Sequence, residues 1–341
     1  MRPMTLTPHI LGNLLKNQPL ADIIGQEDVK EELKSALVMG RHLILVGPPG
    51  IGKTTLVKNL AGLLPKIEVA DCDYHCTPQE PRCPQCLGKE GKGTKSIQGE
   101  ERFVRIQGSP DLTSEDLLGD IDPVKALEYG PLSLEAFTPG KIFKANNGIL
   151  FFDEINRCSE KLQNALLQVL EEGKITIGSY DIDFDANLIF IGTMNPDDNS
   201  TEPLSDVFLD RFDLIRMSYP KTQEEEEAIV TSKGKRFINV PQEITNALVN
   251  FVRALREDDK LEKSPSVRAS LGLYERAQSN AYLAGRDTVT FPDLGNAVES
   301  VIAHRVRLKP SAQFVTSPED YSKRRYDKLL EDTAAKQGGD G

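Results

Sequence analysis

The chain has 341 residues, 39 % hydrophobic and 27 % charged, the balance of a globular protein with room for two domains rather than of a disordered one. No run approaches the ~20 consecutive apolar residues that a membrane span needs, and Met1-Arg2-Pro3-Met4-Thr5 lacks the apolar core of a secretory signal, so a cytoplasmic protein is expected. A net charge of −11 disfavours nucleic acid as the main partner, because phosphate contacts need a surplus of Lys and Arg on one face.

In chain order, Leu43-Ile44-Leu45-Val46 predicts a strand that stops at Gly47-Pro48-Pro49-Gly50, and a helix is expected from Lys53 to Leu64. Phe103–Ile106 predicts a second strand. Ile149–Phe152 predicts a third, whose unbroken apolarity suits a parallel strand buried on both faces. Ser159 is the expected N-cap of a helix in which Leu162, Ala165, Leu166, Val169 and Leu170 recur at amphipathic spacing. Asn187–Gly192 and Asp213–Met217 read as two further strands. Strands alternating with helices define an α/β fold, a parallel sheet flanked by helices.

Pro220 marks a change of character. From Gln223 to about Leu308 the pattern is helical, broken near Pro241, Pro265 and Pro292, and Thr290 with Asp293 forms a predicted capping box. The expected organisation is an α/β domain over 1–220, a helical domain over 221–308 and a tail over 309–341, with one short helix around Tyr321–Leu330 before the glycine-rich end. The run Glu224-Glu225-Glu226-Glu227 at a helix start reads as a solvated face that suits the helix dipole. Cys158 reads as a packing residue and Arg157 as an ion-pair partner. His9, His42 and His304 have no partner at ligand spacing.

Gly47-Pro48-Pro49-Gly50-Ile51-Gly52-Lys53-Thr54 matches the phosphate-binding pattern G-x-x-x-x-G-K-[ST], here in its confirming context between a strand and a helix. Its glycines let backbone N–H groups curl around the phosphates, and the helix N-terminus adds partial positive charge. Lys53 would reach the outer phosphates of ATP and Thr54 would ligate Mg²⁺. A carboxylate from a neighbouring strand is then required, and Asp153 at the end of Ile149–Phe152 supplies it. Glu154, one residue on, is expected on the opposite side of the strand, where it would polarise the attacking water.

Four of the five cysteines, Cys72, Cys76, Cys83 and Cys86, have three, six and two residues between them. Such spacing suits structural Zn²⁺, with His75 as a substitute ligand, and competes with reduced free thiols or a redox pair. Four protein ligands would leave no position for water, so the ion would not be catalytic. It would staple an otherwise apolar-poor loop, Lys66–Glu101, whose Gly88–Lys95 stretch suits contact with a partner.

These motifs resemble the AAA+ ATPases over about residues 20–308. The resemblance implies a P-loop NTPase sheet followed by a helical lid domain. Gly192-Thr193-Met194-Asn195-Pro196 is similar to the family's first sensor, with Asn195 positioning the water. Leu209-Asp210-Arg211-Phe212 resembles the segment carrying an arginine finger, so Arg211 would reach a neighbouring subunit's nucleotide. Ser264-Pro265-Ser266-Val267-Arg268 resembles the second sensor, with Arg268 on the γ-phosphate. Ile23-Ile24-Gly25-Gln26 resembles the adenine-side segment, which adds Ile24 to the nucleotide set of Gly47–Thr55.

Within the superfamily, Asp153-Glu154-Ile155-Asn156-Arg157 and the run from Pro203 to Phe212 resemble the MoxR ATPases. Leu64–Val69, the cysteine insertion over 66–101, and Gly119–Leu127 through Phe137–Gly140 resemble the ATPase I subunit of magnesium chelatase. The resemblance implies a homo-oligomeric, hexameric ring, a hairpin inserted into the second helix near 120–141, and a partner with a von Willebrand A domain or chelatase subunits. The leading expectation is a MoxR-type motor that remodels a partner protein. The alternatives are the motor subunit of a magnesium or cobalt chelatase and, disfavoured by the acidic charge, a DNA-stimulated motor.

Overall fold

The computed structural model describes residues 20, 22–79, 81, 83, 85–86, 93–177, 182–196 and 204–338. His9, Pro203, the 88–92 part of the glycine- and lysine-rich stretch and the last three residues lie outside them. The chain divides into two compact units: the first runs to Met217, and Pro48–Ile51 group with the second, from Ser218 onward. No helix among the described residues is long and apolar enough to cross a membrane.

The first unit contains helix Glu27–Val38, strand β1 (Leu43–Val46), helix Lys53–Ala61, β2 (Ile67–Ala70), β3 (Thr94–Ile97) and β4 (Phe103–Gln107). Then come β5 (Gly119–Ile121), helix Pro123–Tyr129, β6 (Phe137–Pro139), β7 (Gly148–Asp153) and helix Glu160–Glu172. The unit ends with β8 (Lys174–Ile177), β9 (Ile182–Asp185), β10 (Leu188–Met194), helix Asp206–Leu209 and β11 (Asp213–Arg216). Five strands form one sheet in the order β11-β1-β10-β7-β4, and every neighbouring pair is parallel. Every residue of β1 and β7 is buried, which explains their uninterrupted apolar sequences.

Parallel register brings the carboxyl ends to one edge: Val46 pairs with Met194, Gly192 with Phe152 and Gln107 with Asp153. Open parallel sheets bind ligands at this edge. Among the described residues, three antiparallel hairpins leave the sheet, β2–β3, β5–β6 and β8–β9. The β5–β6 pair encloses helix Pro123–Tyr129, which buries none of its residues, over the stretch where an insertion is expected. The β8–β9 hairpin has no counterpart among the sequence expectations. Ser159 is the N-cap of helix Glu160–Glu172, but its side chain makes no capping hydrogen bond.

The second unit packs helices Gln223–Lys233, Gln242–Arg256, Val267–Leu283 and Phe291–Ile302 around Leu248, Val252, Leu273, Tyr274, Leu294 and Val298. It also contains a two-stranded antiparallel pair, β12 (Leu261–Lys263) with β13 (Arg307–Leu308). The tail differs from the sequence expectation: its helix runs over Pro318–Gly338, and Tyr321 and Tyr326 enter the core. The two rings, with the partly buried Leu329 and Leu330 packed against the same core, dock the helix.

The acidic run is corrected as well. Glu226 is fully buried, bound by Arg256 at 2.6 and 2.7 Å and by the Ser270 hydroxyl at 2.5 Å. Only an ion paired and hydrogen-bonded in this way is tolerated in a core. Its Arg256 partner also lies over the Tyr219 ring at 4.5 Å.

The capping box of Thr290 and Asp293 forms, and Arg286 forks onto the same carboxylate at 2.6 Å to each oxygen. The Arg286 hydrogen bonds, opposed by burial and helped by Thr290, push the Asp293 pKa down to about 2. The unfolded value is about 3.9. The carboxylate's stabilisation is therefore complete above about pH 4 and disappears as pH falls towards 2. Asp293→Asn should remove that part of the acid dependence and cost on the order of 1 kcal/mol at neutral pH after solvent screening. Urea midpoints at pH 3 and 7 test it, and an unchanged difference between them would refute it.

Candidate active site at the carboxyl edge of the sheet

The loop after β1 turns through Gly50 (φ 77°) and Gly52 (φ 96°), both in the left-handed region that favours glycine. Gly52 is the N-cap of helix Lys53–Ala61 and offers it no side-chain cap. The first helical N–H groups thus receive no acceptor from the N-cap side chain, and a helix N-terminus of this kind can bind an anion. The Lys53 ammonium donates to the Gly47 carbonyl oxygen, which keeps it over the loop.

Asp153 is the hub. It is buried, and Thr193 Oγ1 donates to its Oδ1 at 2.6 Å. Arg105 Nη2 donates to its Oδ2 at 2.6 Å, and Thr54 Oγ1 reaches the same oxygen at 3.2 Å. Burial alone would raise the Asp153 pKa, but the Thr193 and Arg105 hydrogen bonds, the Arg105 charge and Thr54 outweigh it and hold the carboxyl below its ordinary value. The group is an anion at neutral pH. Thr54 comes from the loop helix, Asp153 from β7, Thr193 from β10 and Arg105 from β4, so one carboxylate ties together the ends of three strands and the phosphate loop.

Glu154 lies beside it for a different reason from the one expected. Strand alternation does not aim it, because β7 ends at Asp153 and Glu154 takes φ 60°, ψ 53° at the start of a 3₁₀ turn. Its N–H donates to Thr193 Oγ1 at 2.9 Å. The Thr193 hydroxyl thus accepts from one acid's backbone while donating to the other's carboxylate. Glu154 Oε2 accepts from Gln107 Nε2 at 2.9 Å and pairs with Arg157 Nε at 3.3 Å. Gly108 makes the tight approach possible: a Cβ there would lie 2.0 Å from the Glu154 carbonyl oxygen.

Asn195 follows β10, and its carbonyl accepts from Asn156 Nδ2 at 3.3 Å, which fixes it to the turn after Glu154. Arg211 does not join this group within the chain; its guanidinium binds Glu171 and the Val207 carbonyl. Arg268 is exposed in the first turn of helix Val267–Leu283 in the second unit, and Ile24 is half-buried just before helix Glu27–Val38.

Arg105 and Gln107 are additions that the motifs do not announce, and Thr193, inside the Gly192–Pro196 motif, is given a role the motif did not assign. The one available signal is the alternation in Phe103-Val104-Arg105-Ile106-Gln107, which sets two polar side chains on one face near a strand end. The four cysteines of the insertion lie with their sulfurs within 4.8 Å of one another, all buried, and His75 is not part of the group.

A nucleotide loop, an acidic strand end and a parallel sheet make a P-loop ATPase fold. The model of the ATPase family associated with various cellular activities matches residues 94–214, that of magnesium chelatase subunit ChlI residues 19–75, and that of the AAA lid domain residues 253–323. The chloroplastic magnesium-chelatase subunit ChlI-2 of Arabidopsis thaliana is 31 % identical over 326 residues, covering 86 % of this chain and 76 % of that protein. The ChlI homolog of Methanocaldococcus jannaschii is 28 % identical over 322 residues, 86 % of each chain. A cryo-EM-based structure of the complex between subunits BchI and BchD of magnesium chelatase shares the fold, with a TM-score of 0.50 at 22 % identity over 87 % of this chain and 98 % of that one. The chain belongs to the AAA+ ATPases, of the type represented by the magnesium-chelatase I subunits.

Proposed function

We propose that the chain is the ATP-hydrolysing subunit of a ring-forming motor, a hexamer in the cytoplasm that remodels a partner protein. The observation that carries this is the meeting of Thr54 and Asp153, with Glu154 held alongside by Thr193. Two oxygen donors from a phosphate loop and a neighbouring strand are a donor set suited to a hard cation. Thr54 and Asp153 would hold Mg²⁺, which when bound offsets charge on the phosphates. The amides of Gly47–Thr55 bind the triphosphate, with Ile24 on the adenine side. Lys53 exchanges the Gly47 oxygen for phosphate oxygens. Glu154 accepts the proton of the attacking water, and Asn195 orients that water. Arg211 leaves Glu171 to reach a neighbouring subunit's nucleotide, and Arg268 serves the γ-phosphate. The cysteine cluster takes no part in this chemistry and serves structure.

For the partner, the first reading is a MoxR-type motor acting on a protein with a von Willebrand A domain. The names of the relatives favour a second, the motor subunit of a magnesium or cobalt chelatase, whose tetrapyrrole site would lie on another subunit. Stimulation of the ATPase by purified partner of either kind separates the two. Stimulation by DNA would displace both, against the chain's acidic charge.

The ring mechanism is tested by ATPase rate against protein concentration, with Arg211→Ala mixed into the unmodified chain. The specific rate should rise with concentration, and the variant should depress the mixture by more than its share. A rate independent of concentration, with strictly proportional loss in the mixture, would put the whole site within one chain.

A further inference from the structure

The structure assigns a structural zinc ion to Cys72, Cys76, Cys83 and Cys86, and with it a role in fixing the starts of the two strands that lead to the acidic pair and to Asn195. The four sulfurs lie within 4.8 Å of one another, and none forms a disulfide. Zinc–sulfur bonds of about 2.3 Å in a tetrahedron set neighbouring sulfurs about 3.8 Å apart, so a small contraction closes the shell. A cluster of several irons would need the thiolates spread more widely. Short backbone turns converge the sulfurs: Ala70 N–H donates to the Cys76 carbonyl and Cys86 N–H to that of Cys83, both at 2.9 Å.

The other parts of the loop explain why an ion is needed and what it holds. Between Asp71 and Cys86 the large apolar side chain is Tyr74, yet all four cysteines are at most 8 % exposed. Such a segment buries too little apolar surface to order itself, whereas a bound metal supplies folding free energy directly. His75 is spent elsewhere, its Nδ1 lying 3.0 Å from the Lys144 carbonyl oxygen.

Between the first and second ligands, Cys72 and Cys76, the chain is bolted to the sheet. Asn146 Nδ2 donates to the Tyr74 carbonyl and Asn147 Nδ2 to that of His75, each at 3.0 Å. Tyr74 packs edge-on against Phe143 at 4.9 Å and stacks on Phe184 of β9 at 6.0 Å. Asn146 Oδ1 in turn accepts from Asn187 N–H at 2.9 Å. Asn147 and Asn187 immediately precede β7 and β10. The metal knot therefore anchors the amino ends of the strands whose carboxyl ends carry Asp153 and Asn195, without touching the reaction.

The test is metal analysis of the full chain. Mass spectrometry should find about one zinc per chain, with the four thiols unreactive to a disulfide reagent until a mercurial releases the ion. Co²⁺ in its place should give the thiolate charge-transfer bands of a tetrahedral site. Cys83→Ser with Cys86→Ser should abolish binding and lower the melting temperature. Should that variant fail to fold, the metal content and thiol protection of the unmodified chain still decide. A metal-free protein that takes up no zinc on refolding, iron in place of zinc, or a disulfide between any two of the four would each overturn the assignment.

Discussion

Glu154→Gln should leave ATP binding intact and lower turnover by ~10²–10⁴-fold, the range that a positioned general base contributes. Glutamine has the size of glutamate, so the contact with Gln107 at 2.9 Å survives through the remaining carbonyl oxygen. The Thr193 contact also survives, because it is made by the backbone of residue 154. What is lost is the acceptor for the water proton and the charge that pairs with Arg157. The check is single-turnover hydrolysis beside equilibrium binding of a fluorescent ATP analogue. Full hydrolysis in the variant would remove Glu154 from the reaction and leave Asp153 as the sole candidate acid.

The second large effect is expected far from the chemistry. Arg256→Ala should destabilise the protein by about 3–5 kcal/mol, because it strands the fully buried Glu226 without its main counter-charge. Arg253, 3.8 Å away, is too distant to replace two short hydrogen bonds. Combining Glu226→Gln with Arg256→Met should recover much of the loss, since removing both charges removes the desolvation cost as well. Urea unfolding of the three variants measures this. An Arg256→Ala midpoint equal to that of the unmodified chain would mean that water reaches Glu226.

Both predictions involve residues that differ in how well the sequence announced them. The sheet strands were legible because parallel strands covered on both faces must be apolar throughout, and Leu43–Val46 and Ile149–Phe152 satisfy that condition without any neighbour being known. The phosphate loop was legible because its requirement is local: glycines, a lysine and a hydroxyl in consecutive positions. Glu226 was not legible, because its burial depends on Arg256 and Ser270, 30 and 44 residues further on. An acidic run looks solvated until those partners are in place. Arg105 and Thr193 escaped for the same reason, as each reaches Asp153 from another strand. What places Glu154 was not legible, because alternation holds only while a strand continues, and this one stops at Asp153.

That stop has a further consequence. A non-glycine residue held at φ 60° sits where side chains are uncommon, at a cost of order 1 kcal/mol. Folding alone would favour glycine or asparagine there. Whatever selects glutamate at position 154 works against thermodynamic economy, so improving this protein's robustness and keeping its chemistry are opposed demands at that one residue.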